Sequence, residues 1–215
     1  MTIENCGPNF NLELYLLARD KTIAAVQSAA LQIRPGMNEA NALVILNDEL
    51  ERAGIENFWH PTKFRISKNT TKSFREVSEV AVLEENDLFF IDIGPVFFNH
   101  EGDYGETFLV GTEARMEKLK NATKKIFIAT QEKWKKNNLT GTELYEFATL
   151  EALKLGLKLN SNMYGHRIGD FPHALHYQGK LGTLDFSPAP HLWVLEIHLL
   201  DEGINRGAFF EDILI

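Results

Sequence analysis

Three hydrophobic runs in this chain hold carboxylic acids where little water can follow. Asp92 lies in Leu88-Phe89-Phe90-Ile91-Asp92-Ile93, Glu196 in Leu192-Trp193-Val194-Leu195-Glu196-Ile197, and Glu211 in Phe209-Phe210-Glu211-Asp212-Ile213-Leu214. Runs so short, rich in aromatic and β-branched residues and apolar on both faces, read as buried strands. An ionised acid there needs a cation, a metal or several donors, or it takes up a proton. For one acid a salt bridge or a network of N–H donors is enough. For three on strands of one sheet the carboxylates can converge, and a divalent cation is their simplest common partner.

The rest of the chain repeats one grammar. From Leu12 the positions Leu12, Tyr15, Ile23, Val26, Ala30 and Ile33 share a helix face, interrupted only by Arg19 and ended by Pro35-Gly36. A second helix from about Asn38 carries Leu43, Leu46, Leu50 and Ala53 to a stop at Gly54. Strands are expected at Phe58 to Ile66, Val77 to Val82, Leu88 to Ile93 and Thr107 to Val110. A long helix then begins at about Glu113, a shorter one runs from Thr142 to Gly156, and strands return at Leu192 to Leu200 and Ala208 to Ile215. Two halves, about 10–111 and 112–215, each of the type long helix, short helix, strands, point to an internal duplication closing around one site within a single domain, 1–215.

Charge and composition narrow the function. The chain has 30 acidic against 22 basic side chains, a net charge of −8, and no basic block, which speaks against electrostatic binding of nucleic acid. No signal sequence and no apolar stretch of membrane-spanning length is evident, so a cytoplasmic protein without membrane attachment is expected. With Cys6 as the lone cysteine, oxygen and imidazole remain as metal ligands. Of seven histidines, His166 sits in Tyr164-Gly165-His166-Arg167-Ile168-Gly169, and His173 and His176 follow closely; His100, His191 and His198 read as structural. Imidazole with several carboxylates suits manganese, cobalt, iron or zinc better than calcium.

The ordered set Asp92, Asp103, His166, Glu196, Glu211 resembles the metal ligands of the pita-bread metallopeptidases: methionine aminopeptidases, Xaa-Pro aminopeptidases, prolidases and creatinase. Ile91-Asp92-Ile93-Gly94 is similar to the family's first aspartate strand. Eleven residues on, Gly102-Asp103-Tyr104-Gly105-Glu106-Thr107-Phe108-Leu109-Val110-Gly111 is similar to the second. Gly165-His166-Arg167-Ile168-Gly169 resembles the family's GHGIG, with His173 seven residues later, and the elements around Glu196 and Glu211 resemble the last two. The resemblance implies an α+β pita-bread fold, with pseudo-two-fold halves around a curved, mainly antiparallel sheet.

It also implies two divalent ions (Mn, Co, Zn or Fe), with Asp92 on the first, Asp103 and Glu211 on both, and His166 with Glu196 on the second. Such a pair, roughly 3.5–4 Å apart, would activate a water for hydrolysis of an N-terminal peptide bond. Glu196 would shuttle its proton and His173 would contact the scissile carbonyl. The substrates implied are short peptides or polypeptide N-termini, and a homodimer is admitted. The fifteen residues between Glu196 and Glu211 favour the Xaa-Pro aminopeptidase and prolidase branch. Hydrolysis of another C–N bond, as in creatinase, is a further variant.

The sequence also departs from the family. The place of its other catalytic histidine falls at or near Phe74, Arg167 replaces the second glycine of GHGIG, Ala174 replaces an acid and Glu106 an arginine. Without that histidine, a member that binds peptides or protein partners without cleaving them is the alternative. His60, Arg65, Phe74 and His176 are expected around the substrate. The 32 residues between His60 and Asp92 speak against His60 standing in for the missing histidine beside the metals.

Overall fold

The computed structural model describes residues 3–173 and 177–215. Its helices begin where short polar side chains satisfy free N–H groups. Asn11 accepts from Glu13 and Leu14 at the start of α1 (Leu12–Ala30), and Asn38 and Asn41 cap each other at the start of α2 (Glu39–Ala53). Glu113 accepts from Met116 in α3 (Ala114–Asn137), and Thr140 with Glu143 forms a second reciprocal cap on α4 (Gly141–Lys154). The short helices of the two halves, α2 and α4, are thus alike in capping, and Gly54, at φ +81°, closes α2 in the left-handed region.

The strands are β1 (Asn57–Ile66), β2 (Asp87–Phe97), β3 (His100–Glu101), β4 (Tyr104–Val110), β5 (Lys158–Leu159), β6 (His166–Arg167), β7 (Trp193–Asp201) and β8 (Arg206–Ile213). They form one antiparallel sheet in the order β1-β2-β4-β8-β7-β5, with β3 added to β2 and β6 to β7. The order reads outward alike from the central β4–β8 pair, one half of the chain on each side, as a pita-bread fold requires. Helices α1 and α3 lie against the central strands and bury Phe89, Ile91, Trp193, Leu195 and Ile197 with them. Among the described residues no helix is long and apolar enough to cross a membrane.

Two expectations are corrected. The buried face of α1 is Tyr15, Ala18, Thr22, Ala25, Val26 and Ala29, whereas Leu12 is 42% exposed and Ile23 and Ala30 are half-buried. Tyr15, Val26 and Ile33 are buried as expected, and the alanines among them let the helix approach its neighbours closely. Val77 to Val82 is no strand: Val77 and Val80 are 83% and 98% exposed. Its β-branched residues have no strand to pair with, and side chains hold the segment instead, Asn69 bonding both the N–H and the C=O of Glu79.

Candidate metal centre

The sheet register explains why acids far apart in sequence meet. Asp92 of β2 pairs with Gly105 of β4, Gly105 with Glu211 of β8, and Glu211 with Glu196 of β7. Directly paired residues share a face of the sheet, and strands lie about 4.7–4.9 Å apart, so this row sets three carboxylates over one spot. Asp103, two residues before Gly105, falls on the same face. A side chain at Gly105 would fill the meeting point, since its Cβ would lie 2.7 Å from Glu211 Oε1 and 2.5 Å from the Phe209 ring. His166 joins from β6, which pairs with Val194, two residues before Glu196. Gly165 makes this possible at φ +65°: its N–H donates to Glu196 Oε2 at 2.6 Å, and a Cβ would lie 2.4 Å from the Val194 carbonyl oxygen.

Ligand atoms fall into two groups that share Asp103. His60, Asp92 and Asp103 form one, and Asp103, His166 and Glu211 the other, with the ligand atoms of each within 4.8 Å of one another. His166 Nε2 is 3.0 Å from Asp103 Oδ2; His60 Nε2 is 3.6 Å from Asp103 Oδ1 and 3.7 Å from Asp92 Oδ1. Both oxygens of Asp103, which is 1% exposed, and Oε1 of Glu211 are buried without a well-aligned hydrogen bond.

The electrostatics record the crowding. Burial pushes Asp92 up to about 7 and raises Glu196 and Glu211 above the usual carboxylate range, and neighbouring acids add to each rise. Burial would raise Asp103 too, but the imidazoles of His166 and His60 hold it low. Burial would lower His166, yet Asp103 outweighs it and lifts the ring to about 9. His166 Nδ1 lies 2.9 Å from the Arg167 carbonyl oxygen, which keeps a proton on Nδ1. In the neutral ring the Nε2 lone pair then faces a carboxylate oxygen, so a positive centre belongs between them. Unpartnered buried oxygens with imidazole nitrogens fit a divalent ion of the manganese-to-zinc range.

A cavity of about 810 Å³ opens above the acids. Asp92, His166, Glu196 and Glu211 line it, with His60, Phe74 and His173 as walls. Phe74 meets the His60 ring edge-on at 5.4 Å and carries Lys63 Nζ 4.6 Å over its face. Arg65 is not among the lining residues, a correction to its expected place at the substrate. Its buried guanidinium donates to the carbonyls of Ser73 at 3.0 Å and Glu76 at 2.5 Å and to Ser78 Oγ, holding the loop that carries Phe74. His176 and Ala174 lie outside the described residues.

One contributor escaped the sequence reading, and another, His60, lines the cavity as expected but sits closer to the acids than its spacing suggested. Glu101, buried on β3, accepts the His173 backbone N–H at 3.0 Å and pairs with its Nδ1 at 2.6 Å. His60 reaches the acids, against expectation, because β1 is irregular on both sides of it and its partner is Gly94. A Cβ on Gly94 would lie 2.3 Å from His60 Cδ2 and 2.2 Å from Trp59 Nε1. Pro61, which cannot donate within a ladder, was the available signal of that irregularity.

The other departures point away from the acids. Buried Arg167 donates to the carbonyls of Ile3 and Asn5 and fastens the N-terminal segment; Glu106 binds the Tyr104 hydroxyl, Gln27 and Lys124. His198 bonds Thr70 and Asn160, and His100 accepts from the Asn11 N–H.

The family model described as Metallopeptidase family M24 matches residues 13–215. No curated protein matches the chain in sequence. An X-Pro aminopeptidase from Thermotoga maritima superposes with a TM-score of 0.76 at 20% identity, over 94% of this chain and 57% of that one. A prolidase from Pyrococcus horikoshii gives 0.76 at 18%, over 99% and 60%. A methionine aminopeptidase from Thermotoga maritima gives 0.75 at 15%, over 99% and 94%. At these identities the likeness is one of fold, and the chain spans less than two thirds of the first two structures.

Proposed function

The chain belongs to metallopeptidase family M24, and from that premise we propose that it is a dinuclear-metal-dependent exopeptidase acting on peptide N-termini, Xaa-Pro peptides above all. The observation that carries the reading is the pair of ligand groups sharing Asp103, with unpartnered buried oxygens, at the floor of a cavity of about 810 Å³. Asp92 would hold one ion, His166 and Glu196 the other, and Asp103 and Glu211 both. When bound, divalent ions supply Lewis acidity toward a carbonyl and make water nucleophilic near neutral pH.

The chain's own groups supply the rest. Glu196 is tethered at Oε2 by the Gly165 N–H, and burial raises its proton affinity, which suits a group that takes a proton and returns it. His173 is fixed through Nδ1 to Glu101, so Nε2 is the nitrogen left for substrate. Doubly protonated, it donates to a carbonyl oxygen; neutral, it accepts from a peptide N–H. Preference for Xaa-Pro over methionine rests on the short β7–β8 hairpin and on a cavity wall containing His60 and Lys180 rather than apolar side chains alone. We take 1–215 as one catalytic unit in the cytoplasm.

Phe74 favours a second reading, peptide binding without hydrolysis, because its ring offers no polar contact to a transition state. The deciding experiment is metal quantification on gently purified protein, then a screen of Xaa-Pro and Met-Xaa peptides with manganese, cobalt or zinc. Faster cleavage of Xaa-Pro peptides is expected. Tight peptide binding without cleavage under every metal would establish the second reading, and Met-Xaa preference would overturn the specificity.

A further inference from the structure

We infer that His60 is a sixth protein ligand of the centre, binding through Nε2 the ion held by Asp92 and Asp103, so that each ion receives one imidazole. The inference rests on the dinuclear reading and deepens it.

The two histidines are built alike. His166 Nδ1 lies 2.9 Å from the carbonyl oxygen of the next residue, Arg167; His60 Nδ1 lies 3.0 Å from that of its next residue, Pro61. In each case a proton on Nδ1 turns the Nε2 lone pair toward acids. A backbone carbonyl holding one ring nitrogen while the other faces the metal is the usual support of a ligating histidine. The distances agree with that role. Donor atoms about 2.0–2.2 Å from an ion at near-tetrahedral angles stand about 3.3–3.6 Å apart. His60 Nε2 stands 3.6 Å from Asp103 Oδ1 and 3.7 Å from Asp92 Oδ1, too far for hydrogen bonds and right for edges of a coordination shell.

Nor is His60 a wandering surface ring. Its side chain is 9% exposed, packed edge-on against Trp59 at 4.3 Å and Phe74 at 5.4 Å, over a glycine whose absent side chain leaves the room it fills. Asp103 Oδ1, the atom it approaches, is among the buried oxygens without an aligned donor. An imidazole added to Asp92 and Asp103 favours cobalt, nickel or zinc over manganese compared with carboxylates alone.

The test is cobalt titration of the full chain, followed by calorimetry and visible absorption, for the unmodified protein, His60→Ala and His60→Asn. Two equivalents are expected for the unmodified protein. Both variants should keep one at unchanged affinity, bind the other about 100-fold more weakly or worse, and lose part of the cobalt band. Cadmium-113 NMR on the unmodified protein removes dependence on the variants' folding: couplings from two cadmium resonances to two different imidazole rings are expected. Variants that bind both ions as tightly as the unmodified protein, or coupling to one ring only, would overturn the role of His60 and leave the dinuclear reading standing. Fewer than two equivalents in the unmodified protein would overturn both.

Discussion

Glu101 grips His173 at two points, the backbone N–H through Oε1 at 3.0 Å and ring Nδ1 through Oε2 at 2.6 Å. A buried carboxylate used this way sets the ring's angle and its tautomer together. Glu101→Gln should therefore lower kcat by about 10–100-fold with little change in KM. Metal stoichiometry should stay at the unmodified value. A variant that only melts earlier, with kcat unchanged, would reduce Glu101 to a packing role.

Phe74 gives the second expectation. A polar contact to the transition state is worth roughly 100–1,000-fold in turnover, and an aromatic ring cannot make one. Phe74→His should raise kcat on the best Xaa-Pro peptide without altering metal affinity. Family-like turnover in the unmodified protein would mean that another group already fills the role.

Metal-free protein should respond to pH in a defined direction. Asp92, raised to about 7, and His166, raised to about 9, both hold protons more tightly folded than unfolded. For both, the stability is complete below the unfolded pKa, about 3.9 for Asp and 6.5 for His, and is lost as pH rises through the folded value. His198, lowered to about 4, works oppositely between about 4 and 6.5. Denaturant melts of metal-free protein should thus weaken between pH 6.5 and 9, and divalent metal should reverse the loss. Stability rising over that window without metal would contradict the proton balance of the cluster.

Arg65 bears on stability and binding together. Truncating it to Met leaves the carbonyls of Ser73 and Glu76 without their buried donor, at a cost on the order of 3 kcal/mol. Because the same loop carries Phe74, KM should rise as well. Denaturation midpoints and peptide kinetics check the two halves separately, and an unchanged KM would separate the loop from the substrate.

The α-helices, the main strands and the acids Asp92, Glu196 and Glu211 were legible because each leaves a local mark, whereas Asp103 entered only through the family resemblance. Caps such as Thr140 with Glu143 are short-range, and an acid in an apolar run is anomalous wherever it stands. Long-range register left no such mark. Nothing near Glu101 announces that β3 meets the turn before His173, and the approach of His60 depends on a glycine 34 residues away, at position 94. Val77 to Val82 misled for the converse reason, since β-propensity describes fit to a sheet that this segment never joins.

The most direct measurement is calorimetric titration of manganese or cobalt into the unmodified protein, Asp92→Ala and Asp103→Ala. Asp103 stands between the two ligand groups, whereas Asp92 belongs to one. Two ions are expected in the unmodified protein, one weakened ion in Asp92→Ala, and two weakened ions in Asp103→Ala. Equal effects of the two substitutions, each on a single ion, would contradict a shared Asp103 and with it a dinuclear centre.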